Sequence, residues 1–192
     1  MGIPKVSLKL SHGIHLGSVA LRKFESCRLV SLVVVVRVGD QLDWLPPSSQ
    51  RPCVRWIETC VNAHLGMSYS LRCGLNSVRS TQPDAVIIVL ADQPFITAKL
   101  VNHLIDTFEN SPELDYVANA YGGVIMPPVL ISRRLFNAIQ SLEGDQGASV
   151  LLRSPECRGV VIEADSSLYF MDADTRKDFE TIVTQWTLNT DR

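Results

Sequence analysis

Residues Ala85 to Leu90, AVIIVL, run without alternation and lead straight into Ala91-Asp92-Gln93-Pro94. An unbroken apolar run rich in β-branched residues and stopped by a proline predicts a strand buried on both faces, as in a parallel sheet covered by helices. Leu29 to Arg37, LVSLVVVVR, has the same character. Such strands have no wet face, so the chain must place helices on both sides of a sheet. In open sheets of this kind the ligand crevice lies outside the carboxyl ends of the strands, and Asp92 is placed to point into it. A local turn, in which Asp92 bonds its own backbone ahead of Pro94, is the competing reading.

The rest of the chain supplies the helices. Ser68 to Val78 carries Leu71, Leu75 and Val78 at helical spacing, with Ser68 as the expected N-cap. Thr97 to Phe108 places Leu100, Val101, Leu104, Ile105 and Phe108 on one stripe, and Thr175 to Trp186 does the same with Phe179, Ile182, Val183 and Trp186. Tyr116 to Ala120 and Gly123 to Met126 read as strands around a Tyr-Gly-Gly turn, the second ended by Pro127-Pro128. Ser132 to Leu142 and Gly147 to Arg153 read as helical, Val160 to Glu163 and Leu168 to Met171 as strands, and Gln41 to Pro52 as a loop. Strands and helices in alternation predict an α/β fold with a mostly parallel sheet and an antiparallel element near Tyr121.

At 192 residues the chain is expected to form one domain. A net charge of −2 points to neither a basic face for nucleic acid nor a polybasic membrane anchor, and leaves local charged patches open. The apolar run Leu32 to Val36 is far below the ~20 residues that span a bilayer, and no secretory signal opens the sequence, so a cytoplasmic protein is expected. Cys27, Cys53, Cys60, Cys73 and Cys157 form no C-x-x-C pair and are expected to be reduced thiols. His12, His15, His64 and His103 have no metal-ligand spacing.

A second acidic cluster, Asp172-Ala173-Asp174-Thr175, also follows an apolar stretch and precedes a helix. Carboxylates brought to one crevice from distant positions repel unless a cation lies between them, and Mg²⁺ suits one or two carboxylates plus substrate phosphates. The competing reading makes Asp174 or Thr175 the cap of the last helix, with Asp178 favouring its positive end. Gly66-Met67-Ser68-Tyr69-Ser70-Leu71 sets a glycine and two hydroxyls at a helix start, where free N–H groups favour an anion, and Gly144-Asp145-Gln146-Gly147-Ala148 is a similar turn. Neither is specific alone.

Taken in order, these segments resemble the molybdenum cofactor cytidylyltransferase family, within the MobA-like nucleotidyltransferases, and especially its purine-catabolism members that equip xanthine dehydrogenase. The carriers are Met1-Gly2-Ile3-Pro4-Lys5, similar to the end of the family's L-A-A-G-x-S-x-R-M-G-x-x-K loop, and Gly66 to Leu71. Leu90-Ala91-Asp92-Gln93-Pro94, Pro127-Pro128-Val129-Leu130, Gly144 to Ala148 and Asp172 to Thr175 complete the set. The resemblance implies a Rossmann-like three-layer fold and transfer of CMP from CTP to the terminal phosphate of molybdopterin, releasing pyrophosphate. It implies Mg²⁺ on Asp92, with Asp172 or Asp174 as a second carboxylate, and Gly2 and Lys5 in the loop that meets the triphosphate. Gly66, Ser68, Ser70 and Leu71 would face the base and ribose, and Pro127, Pro128, Asp145 and Gly147 the pterin. Xanthine dehydrogenase would be the partner that receives the product.

Relative to the family, the sequence starts inside the signature, so one nucleotidyltransferase-like domain, shortened at its N-terminus, is expected. The first strand of the family sits mid-sheet, and without it the neighbours Leu32 to Val36 and Val86 to Leu90 are expected to keep unpaired backbone groups. Either the reading frame extends upstream or the sheet is rearranged and the enzyme impaired. Ser149 stands where many members carry arginine after Gly-Ala, which puts a basic contact there in doubt. Two further functions stay open: a cofactor-binding or insertion factor without catalysis, and a nucleotidyltransferase for another phosphorylated acceptor.

Overall fold

The computed structural model describes residues 4–47 and 53–190. The first helix, α1 (Leu16–Glu25), buries Leu16, Val19, Ala20, Leu21 and Phe24 on one stripe. Gly17 within it lies against Trp44, where a Cβ would fall 2.5 Å from the indole ring, so the loop after β1 (Ser31–Arg37) packs directly on the helix backbone. Asp40 fixes that loop by accepting from Leu42 N at 2.9 Å and from Trp44 Nε1 at 3.2 Å. β2 (Val54–Cys60) runs parallel to β1 in the register Ser31 with Val54 to Arg37 with Cys60. Neither α1 nor β2 was anticipated: the apolar spacing of Leu16 to Phe24 follows a histidine-containing loop, and Val54-Arg55-Trp56-Ile57-Glu58 mixes charged and apolar residues. Arg55 on β2 donates to Glu25 at 2.7 Å in a nearly buried ion pair and to Pro46 O at 2.8 Å, which closes the loop over the first half.

From β2 the chain crosses through α2 (Met67–Val78) to β3 (Ala85–Ile88) and then α3 (Ala98–Asn110). Thr97 Oγ1 caps α3 by accepting from Leu100 N. β4 (Tyr116–Tyr121) and β5 (Val124–Ser132) follow as a hairpin, then the short α4 (Phe136–Gln140), β6 (Gly159–Glu163) and α5 (Arg176–Thr190). The second sheet has the order β3-β5-β4-β6, with β3-β5 and β4-β5 antiparallel and β4-β6 parallel. Pro127-Pro128 lies within β5 and does not end it as the sequence suggests: the peptide between them is cis, and the register with β4 shifts between Ala118 and Asn119. Ser132 closes that strand instead of opening a helix, and Leu168 to Met171 forms a 3₁₀ turn (Ser167–Phe170) instead of a strand, capped by Ser166 on Leu168 N. Ala148–Arg153 is likewise 3₁₀.

Among the described residues β1 pairs only with β2, and β3 only with β5. Each keeps a backbone edge without a strand partner, as anticipated for Leu32 to Val36 and Val86 to Leu90. The side chains nevertheless bridge the two sheets. On one face Leu32, Val34 and Val36 share a core with Ile96 and Val101, against which Ile87 and Val89 pack. On the other, Val33, Trp56, Val86 and Ile88 pack on the core of Leu75, Val129, Ile131 and Ile139. Every residue of β3 is only half-buried, where two-sided burial was expected. A buried backbone group without a partner costs roughly 1–3 kcal/mol, and partial exposure offsets this by letting water pair with the free edge.

Candidate active site

Asp92 follows β3 by a short turn, and Asp172 and Asp174 follow the 3₁₀ turn that leads into α5. The two segments are far apart in sequence and are joined by side chains. Gln93, buried, donates through Nε2 to Phe170 O at 3.4 Å. Beside it Phe95, Met171, Phe179 and Trp186 pack around Leu10, Leu16, Ala173 and Ile182, with the Phe95 and Trp186 rings 6.3 Å apart. Ala173 is fully buried, so Asp172 and Asp174 flank an anchored residue.

The result is a carboxylate cluster. One oxygen each from Asp92, Asp172 and Asp174 lies within 4.8 Å of the others. Lys5 reaches the same point: its Nζ is 3.8 Å from Asp92 Oδ2 and donates to Asp174 Oδ1. Burial raises the Asp92 pKa, with Asp174 adding to the rise, while Lys5 and a bond from its own backbone N–H oppose it. Burial also raises Asp172, and here Asp174 and Asp92 add to the rise against Lys5. For Lys5, burial works against the charge, but the bond to Asp174 and the fields of Asp174, Asp92 and Asp172 outweigh it and raise its pKa. One ammonium thus faces three carboxylates. Clustered hard oxygen donors with excess negative charge suit a divalent cation such as Mg²⁺ or Mn²⁺, and the residues present fit such an ion.

The capping alternative is resolved in favour of Thr175. Its Oγ1 accepts from Asp178 N at 3.2 Å, and Asp178 Oδ2 accepts from Thr175 N and Oγ1 at 2.8 and 2.7 Å. Those bonds hold Asp178 below the usual carboxylate range. A reciprocal box of this kind satisfies the helix start without Asp174, which is left to the cluster.

The other expected residues divide. Gly66 has φ +128°, and a Cβ there would fall 2.3 Å from the backbone of Gly144. Ser68 N donates to Gly144 O at 3.0 Å, and a Cβ on Gly147 would meet Met67 Sδ at 3.0 Å. The glycine-hydroxyl segment and the Gly144 to Ala148 turn, assigned from sequence to opposite substrates, are therefore in direct contact. Gly66, not Ser68, is the N-cap of α2; Ser68 is buried, and its Oγ has no hydrogen-bond partner among the described residues. Leu71 packs against the core. Ser70 is half-buried on α2 and Asp145 is exposed. Pro128 is fully buried, its carbonyl accepting from Asn119 Nδ2 at 2.9 Å, and Pro127 is half-buried beside it. Among the described residues no hydrogen bond joins this proline pair to the carboxylates. Gly2 lies outside the described residues. Sequence reasoning missed Gln93, whose only signal was its place beside Asp92, and Gly144 as the partner of Gly66.

Among the described residues no helix is long and apolar enough to cross a membrane. Residues 1–160 match the family described as MobA-like NTP transferase domain. The chain is 32% identical over 187 residues to the purine catabolism protein PucB of Bacillus subtilis (strain 168), covering 95% of this chain and 89% of that one. In structure it is similar to Rv0371C of Mycobacterium tuberculosis H37Rv in complex with manganese, with a TM-score of 0.75, 18% identity and coverage of 94% and 91%. It is also similar to molybdopterin-guanine dinucleotide biosynthesis protein A of Archaeoglobus fulgidus, with a TM-score of 0.68, 14% identity and coverage of 97% and 92%. With acids from the turn after β3 and from the segment before α5 converging on one lysine in a mixed α/β fold, and with the family match over residues 1–160, the protein belongs to the MobA-like NTP transferase family.

Proposed function

We propose that the chain transfers a nucleotidyl group, CMP from CTP, to the terminal phosphate of a molybdopterin-type cofactor, releasing pyrophosphate. The observation that carries this reading is the convergence of Asp92, Asp172 and Asp174 with Lys5. In the reaction an acceptor phosphate oxygen attacks the α-phosphorus, and the bond from that phosphorus to the bridging oxygen of the β-phosphate breaks. Such chemistry needs charge stabilisation and positioning more than covalent help. A divalent cation held by Asp92, Asp172 and Asp174, Mg²⁺ in this proposal, would neutralise phosphate charge. Lys5, charged at neutral pH, supplies a fixed positive group to the phosphates. The contact between Gly66 and Gly144 holds two loops as one wall, with Ser70 and Asp145 as its polar positions for nucleotide and pterin. The donor and acceptor rest on the family resemblance and on the PucB-like sequence, as does xanthine dehydrogenase as the receiving enzyme.

Incubation of the protein with labelled CTP, Mg²⁺ and molybdenum cofactor tests the reading, with release of pyrophosphate expected only when all three are present. Cofactor binding without CTP binding or turnover, beside an active full-length relative, would replace catalysis by a carrier role. Turnover with another phosphorylated acceptor, or preference for another nucleotide, would retain the transferase and change its substrates.

A further inference from the structure

Lys5 stands on a 3₁₀ turn, Lys5–Ser7, apart from the elements that carry the carboxylates. A lysine ammonium rides on a flexible four-carbon stem, so its place at Asp92 and Asp174 depends on where the backbone below it is held. The turn's own backbone bonds, Ser7 N to Pro4 O and Leu8 N to Lys5 O, both 3.0 Å, set its shape and not its place. Leu8 O accepts from Leu16 N at 2.8 Å, which hangs the turn from the start of α1. Further contacts come from the loop after β1. Ser7 Oγ donates to Asp43 Oδ1 at 2.8 Å, and Asp43 Oδ2 lies 4.0 Å from Nε2 of His15, the N-cap residue of α1. Nearby, Val6 lies over Gly17 of α1: a Cβ on Gly17 would fall 2.9 Å from Val6 Cβ and 2.5 Å from Trp44 Cε3. Glycine inside a helix is unfavourable relative to alanine, and here the missing side chain is the space in which turn and loop both rest on α1. The loop is itself fixed, since Trp44 is buried, its Nε1 donates to Asp40, and its carbonyl accepts from Ser18 Oγ on α1.

We propose that Asp43 and Gly17 are positioning residues for Lys5. Asp43 ties Ser7 to the loop, Gly17 lets Val6 settle on α1, and together they hold the turn where the ammonium meets Asp92 and Asp174. Both act through the backbone of the turn. A fixed charge stabilises developing phosphate charge better than one that must be reorganised, and a displacement of about 1 Å at such a group can cost about 10²-fold in rate. The value of the two residues to catalysis rests on the transferase reading above; their hold on Lys5 does not. Asp43 is exposed, so its removal leaves the core untouched, whereas a side chain at Gly17 has to displace Val6 or the Trp44 ring.

The test treats the folded full chain, without metal or nucleotide, with a zero-length carbodiimide and measures by mass spectrometry the amide cross-link from Lys5 to Asp174, which forms only when the two groups touch. A clear cross-link is expected in the unaltered chain. Ser7→Ala and Asp43→Ala should each lower its yield by about threefold, the effect of losing one exposed hydrogen bond, with the melting temperature nearly unchanged. Gly17→Ala should lower it further. Ser7→Thr and Asp43→Asn, which keep the donor and an acceptor oxygen, should restore the yield, a rescue that a merely structural role would not show. Loss in Asp43→Asn equal to that in Asp43→Ala would overturn the tie to Ser7. An unchanged yield in both Asp43→Ala and Gly17→Ala, or no cross-link in the unaltered chain, would overturn the positioning roles. In the transfer assay the same alanine variants should lower kcat with KM for CTP nearly constant. Cross-link loss in the variants beside an unaltered chain that transfers nothing would uphold the hold on Lys5 and overturn only the transferase reading.

Discussion

β3 and β4 are both apolar strands of the same sheet, yet they occupy opposite situations. β4 pairs with β5 on one side and β6 on the other, and its Val117, Ala118 and Ala120 are fully buried. Among the described residues β3, with Ala85-Val86-Ile87-Ile88, pairs on one side only, and it is half-buried throughout. Composition does not separate them; neighbours do. Burial of a strand needs atoms on both faces and a partner on each edge, and β3 has the faces without the second edge. The strand that leads to Asp92 is thus the less supported of the two, while the position of Asp92 itself depends on Gln93 and on the packing of Phe95 against α5.

This contrast can be broken or sharpened by experiment. The largest effect belongs to the end of β3: Asp92→Asn should lower pyrophosphate release by about 10²–10³-fold or more. It should also weaken Mn²⁺ binding measured by calorimetry, with no loss of stability in the metal-free protein because a repelling charge is removed. Retained metal-dependent turnover in that variant would take Asp92 out of the site. Next come the strands themselves. Ile131→Ala, on the doubly paired β5 and fully buried, should cost about 2–5 kcal/mol in denaturant unfolding. Ile87→Ala on β3 should cost roughly half as much, since partial exposure removes part of the transfer and cavity loss. Equal costs would mean that the free edge of β3 is not felt by its side chains.

A smaller effect follows from protons. Asp92 and Asp172 have folded pKa values above their unfolded ones, so the folded chain binds protons more tightly than the unfolded chain between those values. Ionisation of these two groups costs stability at pH above the raised values, and mild acidification relieves that cost in the metal-free protein. A divalent cation competes with those protons. The rise in melting temperature on adding Mn²⁺ should therefore be greater near about pH 7 than near about pH 5. A rise independent of pH would place the ion elsewhere. The finest test is amide exchange: the amides of Ala85–Ile88 should exchange at least about tenfold faster than those of Tyr116–Tyr121, and equal protection would show that the open edge is closed in solution.

Several features were legible because they depend on local pattern. The apolar strand ahead of Asp92, the helical stripe of Leu100 to Phe108 and the acids before α5 can be read within a few residues. The missed elements depend on distant partners. Val54 to Cys60 alternates too weakly to announce a strand and becomes one because β1 offers its edge. Leu168 to Met171 is apolar enough for a strand, but Ser166 caps a 3₁₀ turn there. Ser68 has the chemistry of a cap and loses that role because Gly144 comes within hydrogen-bonding distance of its N–H.

By itself the sequence determined an apolar strand shortly before Asp92 and an acidic segment ahead of the last helix, because residue spacing and side-chain chemistry are local properties. Only the tertiary structure decided that Asp92, Asp172 and Asp174 meet at Lys5, that Thr175 frees Asp174 from capping, and that Gly66 meets Gly144. These depend on which surfaces pack across long separations, and packing is a property of the whole core, not of any one segment.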